Sequence, residues 1–220
     1  MSRVYPLWDR AVRSIHWLFV PLLAGAWWTA EEGHMQWHQW CGLSILVLVL
    51  TRLLWGFVGS PQARFADFLR GPRAVLAYLR GAPAGTPGHN PLGGWSTLAL
   101  LLLLLAQALT GSFSADGVLF DGPFHYVFDS SVTDVLAQIH ETLFNVLLAL
   151  VGLHVLAILF YEKVRDQRLL WPMIVGAMPG RREGTGPARP LYLALLIAAV
   201  LALGLWALIE LAPEPPPSFW

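Results

Sequence analysis

The chain is 220 residues long, 56% hydrophobic and only 13% charged, with fourteen basic and fourteen acidic residues. Soluble domains carry about 25% charged residues, so the composition excludes an ordinary soluble protein. With no basic cluster in a nucleic-acid-binding motif, no G-x-G-x-x-G and no P-loop, it also gives no support for nucleic acid or nucleotide as a partner.

Five apolar stretches predict membrane-spanning helices at residues 14–30, 38–58, 95–113, 136–161 and 191–211. The opening MSRVYPLWDR lacks the layout of a cleaved signal peptide, so the first apolar run counts as a span. Span 1 leads through an acidic turn with Glu31 and Glu32 into span 2. The connection 60–94 carries Arg64, Arg70, Arg73 and Arg80. Within it, GPRAVLAYLRG reads as a short helix with Pro at its first turn, lying on the leaflet surface. A Pro/Gly-rich link, APAGTPGHNPLGG, then enters span 3. The segment 114–135 is acidic and aromatic, and SVTD at 131–134 resembles a capping signal for span 4. Span 4 is followed by Lys163, Arg165, Arg168, Arg181, Arg182 and Arg189, and span 5 by Glu210 and Glu214.

Alternating the spans puts all fourteen Lys and Arg on one face and nine of the fourteen acidic residues on the other. The positive-inside rule then expects a cytoplasmic N-terminus and a periplasmic C-terminus in a bacterial inner membrane. Trp8, Trp17, Trp55, Trp95 and Trp171 fall near the inner boundary; Trp27, Trp28, Trp37 and Trp40 fall near the outer one, as aromatic belts do.

Of seven histidines, four lie in or at the edge of spans: His16, His38, His140 and His154. His140 and His154 are fourteen residues apart on span 4. On a helix this returns them to within about 40° of one face and separates them by roughly 21 Å along the axis. Span direction puts His16 and His154 at inner depth and His38 and His140 at outer depth. A neutral imidazole at bilayer depth is costly unless its nitrogens are occupied. Two depths with two ligands each suit two bis-histidine haems, whose filled axial positions favour electron transfer. No C-x-x-C-H is present, so b-type haem is expected rather than c-type. Zinc or a histidine proton relay are the other readings of the same four residues. His34, one turn before His38, competes with it for the outer site. His89 and His125 fall in loops, where solvent exposure is the default. Arg13, one turn before His16, and Arg52, fourteen residues after His38, could pair with haem propionates or extend to the headgroups. Gly42, one turn after His38, could let a porphyrin approach the backbone or serve loose helix packing. Gln107 and Thr110 are polar at lipid depth, fitting interhelical hydrogen bonds or, more weakly, a quinone site.

YPLWDRAVRSIHW, WHQWCGLSILVLVLTRLL, GHNPLGG, IHETLFNVLLALVGLHVLAIL and LLWPMIVG occur in this order. Together they resemble the prokaryotic cytochrome b561 family, which includes the b-type subunits of membrane hydrogenases. The resemblance implies an all-α membrane protein with a four-helix haem-binding bundle, here residues 1–178; the fifth C-terminal transmembrane helix and tail in 179–220 lie outside the shortest family members, though some versions have a fifth helix. It implies two haem b groups, His16 and His154 on the inner iron and His38 and His140 on the outer, and exchange of electrons with quinone. The expected function is transmembrane electron transfer between the quinone pool and a periplasmic partner such as a c-type cytochrome, with quinone oxidoreductase activity left open. A membrane-anchor subunit for a hydrogenase or other periplasmic dehydrogenase is the alternative, and a haem-free histidine-lined proton channel is the rival of another class. Besides membrane lipid, the fifth span offers partner contact, a homodimer interface or simple anchoring.

Overall fold

The computed structural model describes residues 6–83, 88–115, 120–177 and 186–214. Arg3, Asp116, Arg181, Arg182 and the end of the tail lie outside them. Eight α-helices form among the described residues: α1 (Arg10–Glu31), α2 (Met35–Val58), α3 (Phe65–Phe68), α4 (Pro72–Leu79), α5 (Pro91–Phe113), α6 (Ser130–Lys163), α7 (Leu170–Val175) and α8 (Leu191–Glu210). Helices α2, α5, α6 and α8 are long and apolar enough to cross a membrane. The first span, at 22 residues, is close to α2, α5 and α8 in length but less apolar, carrying Arg10, Arg13, His16 and Glu31. It nonetheless runs the length of α2, tied to it at both ends. Asp9 accepts from the Trp55 indole at 2.9 Å near one face, and Ala26 O lies 2.8 Å from His38 near the other.

Two of the long helices begin at side-chain caps. Asp9 caps α1 by accepting from the Val12 N–H at 2.8 Å, and Asn90 caps α5 by accepting from Gly93 N at 2.6 Å, with Pro91 in the first turn where no donor is missed. Gly33, at φ +70, supplies the left-handed residue that turns the chain from α1 into α2. Helix α6 starts earlier than the apolar run suggests. Asp129 is its N-cap, so the SVTD segment lies inside the first turns rather than before them. At 34 residues it is roughly 51 Å long, well beyond a hydrocarbon core of about 30 Å.

Helix α2 is the centre of the bundle, packed by α1, α5 and α8. Its Ile45, Leu46 and Val49 form the main core with Leu101, Leu104 and Ala108 of α5 and Leu147 of α6. A second cluster joins Trp8, Ala11 and Val12 to Trp55, Ala63 and Ala194, seating α8 at the arginine-rich end. Helix α6 packs closely against α5 alone; α1–α6 and α2–α6 are not among the closely packed pairs. Only Thr133 and Leu147 of α6 are buried. The side of α6 toward α1 and α2 therefore stands off from them.

The tryptophans divide unequally. Trp27, Trp28, Trp37 and Trp40 are all exposed, as lipid-interface residues should be. Trp17, Trp95 and Trp171 are exposed too, but Trp8 and Trp55 are core residues, Trp55 wholly buried.

Candidate functional site

Across the gap between α6 and its neighbours stand the four span histidines, each half-buried. Toward the arginine-rich face, the rings of His16 on α1 and His154 on α6 lie 6.4 Å apart, inclined at 54°. Toward the acidic face, the rings of His38 on α2 and His140 on α6 lie 6.1 Å apart, inclined at 88°. The depth pairing expected from span direction is the pairing the helices make, and His38, not His34, stands opposite His140. His34 stands at the N-cap position of α2 without a side-chain capping bond and packs on Trp28 with ring centres 6.2 Å apart.

The separation is informative. Two metal–nitrogen bonds of about 2 Å, plus about 1 Å from each nitrogen to its ring centre, place the rings roughly 6 Å apart. Both pairs meet that length while the helices bearing them stay apart. Among the described residues no three His, Cys, Asp or Glu gather closely enough to hold a bare metal ion. Zinc takes three or four protein ligands, so two-histidine sites fit a metal that brings its own equatorial ring. Open space lies beside the acidic-face pair: a Cβ on Gly42, one turn after His38, would meet nothing within 4 Å.

The acidic-face pair is held by acceptors that sequence did not reveal. His38 Nδ1 lies 2.8 Å from Ala26 O, and His140 Nδ1 lies 2.9 Å from Gln107 O. A carbonyl only accepts, so each Nδ1 carries the proton and each Nε2 keeps its lone pair, the tautomer a metal needs. The Gln107 amide nitrogen sits 3.3 Å from His140 Nε2, capping that lone pair, while its buried Oε1 makes no hydrogen bond. Gly111 lets the ring in, because a Cβ there would lie 2.6 Å from His140 Cε1. His38, His140, Gly42 and Gly111 line one cleft with Phe120 and Pro123 of the acidic segment. The opposite pair differs: His16 Nδ1 is buried and meets no acceptor.

The two candidate arginines are both engaged, but differently. Arg13 donates from Nε to Met173 O at 3.3 Å and from Nη2 to Ile174 O. The Trp17 indole also donates to Met173 O, at 3.0 Å. Arg52 is buried with its guanidinium 5.8 Å from the Phe65 ring centre, and its Nη1 makes no hydrogen bond. Neither reaches out to the headgroups. Thr110 and Gln107 do bridge helices, meeting His140 of α6 from α5.

Neither of the two histidines expected in solvent is fully exposed. His89 packs between Trp8 and Phe68, at 4.7 and 4.4 Å between ring centres, and meets the Thr97 hydroxyl at 3.2 Å. Burial, and then the charge of Arg52, push its pKa down to about 3, so it is neutral in the fold. His125 is half-buried, its Nδ1 3.1 Å from Phe113 O. Aromatic neighbours distant in sequence enclose the first, and a turn-forming segment folds the second back on α5.

An all-helical bundle with helices long enough to cross a membrane and two facing histidine pairs is an arrangement that fits a membrane cytochrome. The signature described as prokaryotic cytochrome b561 matches residues 7–176, and the chain belongs to that family. It is accordingly a multi-pass membrane protein of a class that carries electrons across the membrane through b-type haem. Comparisons with curated proteins and with solved structures gave no match.

Proposed function

We propose that the chain binds two b haems, one between His16 and His154 and one between His38 and His140, and passes electrons between the two faces of a bacterial inner membrane. The observation that carries this reading is the matched ring separation, 6.4 and 6.1 Å, across helices that do not otherwise pack closely. When bound between these histidines, haem b would supply a one-electron iron couple. The chain's own part is to hold four imidazoles at fixed depth. It also fixes the proton on Nδ1 of His38 and His140 through the Ala26 and Gln107 carbonyls, and leaves Gln107 able to yield its place at His140 Nε2.

The arginine-rich face is the cytoplasmic one by the positive-inside rule, with the N-terminus there and the C-terminus in the periplasm. Residues 1–178 form the haem core and 179–220 the appended helix and tail. Quinone is the reactant within the membrane, and a soluble periplasmic redox protein, a c-type cytochrome or dehydrogenase subunit, meets the acidic face near Asp121 and Asp129. Arg52, buried with Nη1 free of hydrogen bonds, is the better of the two arginines for a propionate, since Arg13 is committed to two carbonyls.

A reduced-minus-oxidised spectrum with haem quantified per chain tests the reading. Two b-type haems per chain are expected, with His140→Ala and His16→Ala each removing a different one. A folded, colourless preparation would instead support a haem-free histidine path, and a single haem lost only with His16 would overturn the two-depth pairing.

A further inference from the structure

Helix α4 lies beside the bundle at the arginine-rich end, and it is firmly placed. The Tyr78 hydroxyl meets that of Tyr161 at 2.8 Å, and Asn90 Nδ2 donates to Tyr161 Oη at 3.1 Å. Burial, and then the Tyr161 hydrogen bond, push the Tyr78 pKa up to about 12, so the Tyr78 hydroxyl keeps its proton. Just before α4, Arg70 O accepts from the Trp95 indole at 2.8 Å, fixing the chain to the start of α5. Between α4 and α5 these ties hold open a groove of about 360 Å³, lined by Pro72, Val75, Leu76, Leu79 and Trp95 alone. Leu76 and Leu79 are 48% and 63% exposed. A trough with no polar lining favours hydrocarbon over water.

Its rim carries charge of one sign. Arg73 and Arg80 flank Leu76 on the same helical stripe, at three and four residues' remove. No Asp or Glu occurs between Asp67 and Asp116. Arg64–Asp67 is the one ion pair among the described residues, so Arg73 and Arg80 have no carboxylate partner there. The exposed Trp95, Trp17 and Trp171 mark this end of the bundle as headgroup depth. An occupant must therefore offer a hydrocarbon chain to the trough and an anionic group, at the membrane surface, to two guanidinium forks.

We infer that the α4–α5 groove is a binding site for one anionic phospholipid, its acyl chain along Leu76, Leu79 and Trp95 and its phosphate between Arg73 and Arg80. This does not depend on haem binding. The site would seat α4 at a defined depth and tie the loop between α2 and α5 to the leaflet, not merely leave it resting there.

The purified full chain in detergent, titrated with phosphatidylglycerol or with phosphatidylcholine of the same acyl chains, tests the inference by native mass spectrometry and thermal midpoint. Phosphatidylglycerol is expected to remain bound one per chain and to raise the midpoint, while phosphatidylcholine does neither. Two arginines at a membrane surface are together worth roughly a thirty-fold preference, which Arg73→Gln with Arg80→Gln should abolish. Leu79→Asn should weaken phosphatidylglycerol binding with both arginines intact. Equal retention of the two lipids would overturn the site, leaving only annular contact. So would a double variant that keeps the preference, or inorganic phosphate giving the full effect without any acyl chain. The wild-type lipid comparison decides the matter even if a variant does not fold.

Discussion

At the scale of single residues, the four span histidines were legible because depth follows from span direction and residue count alone. Their second partners were not. A backbone carbonyl has no sequence signature, so nothing in the letters points from His38 to Ala26 or from His140 to Gln107. The enclosure of His89 has a related cause: the residues that pack on it, Trp8 and Phe68, come from the start of the chain and from α3. Gly111 carries the sharpest consequence. A methyl group there would stand 2.6 Å from His140 Cε1 and 2.9 Å from its Nδ1. The ring must swing away, breaking the bond to Gln107 O. On the proposed ligation, Gly111→Ala should lower haem content from two per chain toward one while leaving the His16–His154 site loaded. Haem quantified against protein, with the residual spectrum compared with that of His140→Ala, checks this; two haems retained would mean the ring tolerates displacement.

At the scale of elements, the apolar runs located the helices, and caps moved their ends. Asp9, Asn90 and Asp129 start α1, α5 and α6 several residues before the hydrophobic stretches begin. The segment LLWPMIVG was recognisable as a motif without any evident role. In the fold its backbone is what matters. Met173 O and Ile174 O accept from Arg13, and Gly176 O accepts from Leu7 N and Trp8 N at 2.8 and 3.2 Å. Gly176 itself sits at φ +97, a conformation that favours glycine. The motif thus straps the end of the core to the start of α1, one turn from His16. Arg13→Ala should destabilise the protein by about 2 kcal/mol, the worth of hydrogen bonds to a charged donor. Arg13→Lys should recover only part, lacking the fork that spans two carbonyls. Thermal or denaturant unfolding in detergent measures both. Equal stability of all three proteins would reassign Arg13 to a surface role.

At the scale of the whole molecule, charge and hydrogen bonding are asymmetric in the same direction. The arginine-rich face holds His16 and His154, and His16 Nδ1 is buried without an acceptor. The acidic face holds His38 and His140, each with Nδ1 bonded to a carbonyl. Such a bond makes the imidazole a stronger donor to a metal and so favours the oxidised, more positive iron. Nearby carboxylates favour that state too, and nearby guanidinium groups oppose it. Both effects therefore lower the potential at the acidic face relative to the basic one. On the proposed ligation, a potentiometric titration should resolve two one-electron steps. His140→Ala should remove the step at lower potential, and His16→Ala the one at higher potential. Electrons would then run downhill from the acidic to the arginine-rich face, which with the proposed orientation is from periplasmic partner to quinone. The reverse order of potentials would show that burial or propionate pairing outweighs these two levers. Raising ionic strength offers a way to separate them: it screens the exposed carboxylates, within a Debye length of about 8 Å at physiological salt, but leaves the buried carbonyl bonds to His38 and His140 in place. A gap between the two steps that survives high salt is therefore assigned to Ala26 and Gln107, and a gap that closes is assigned to surface charge.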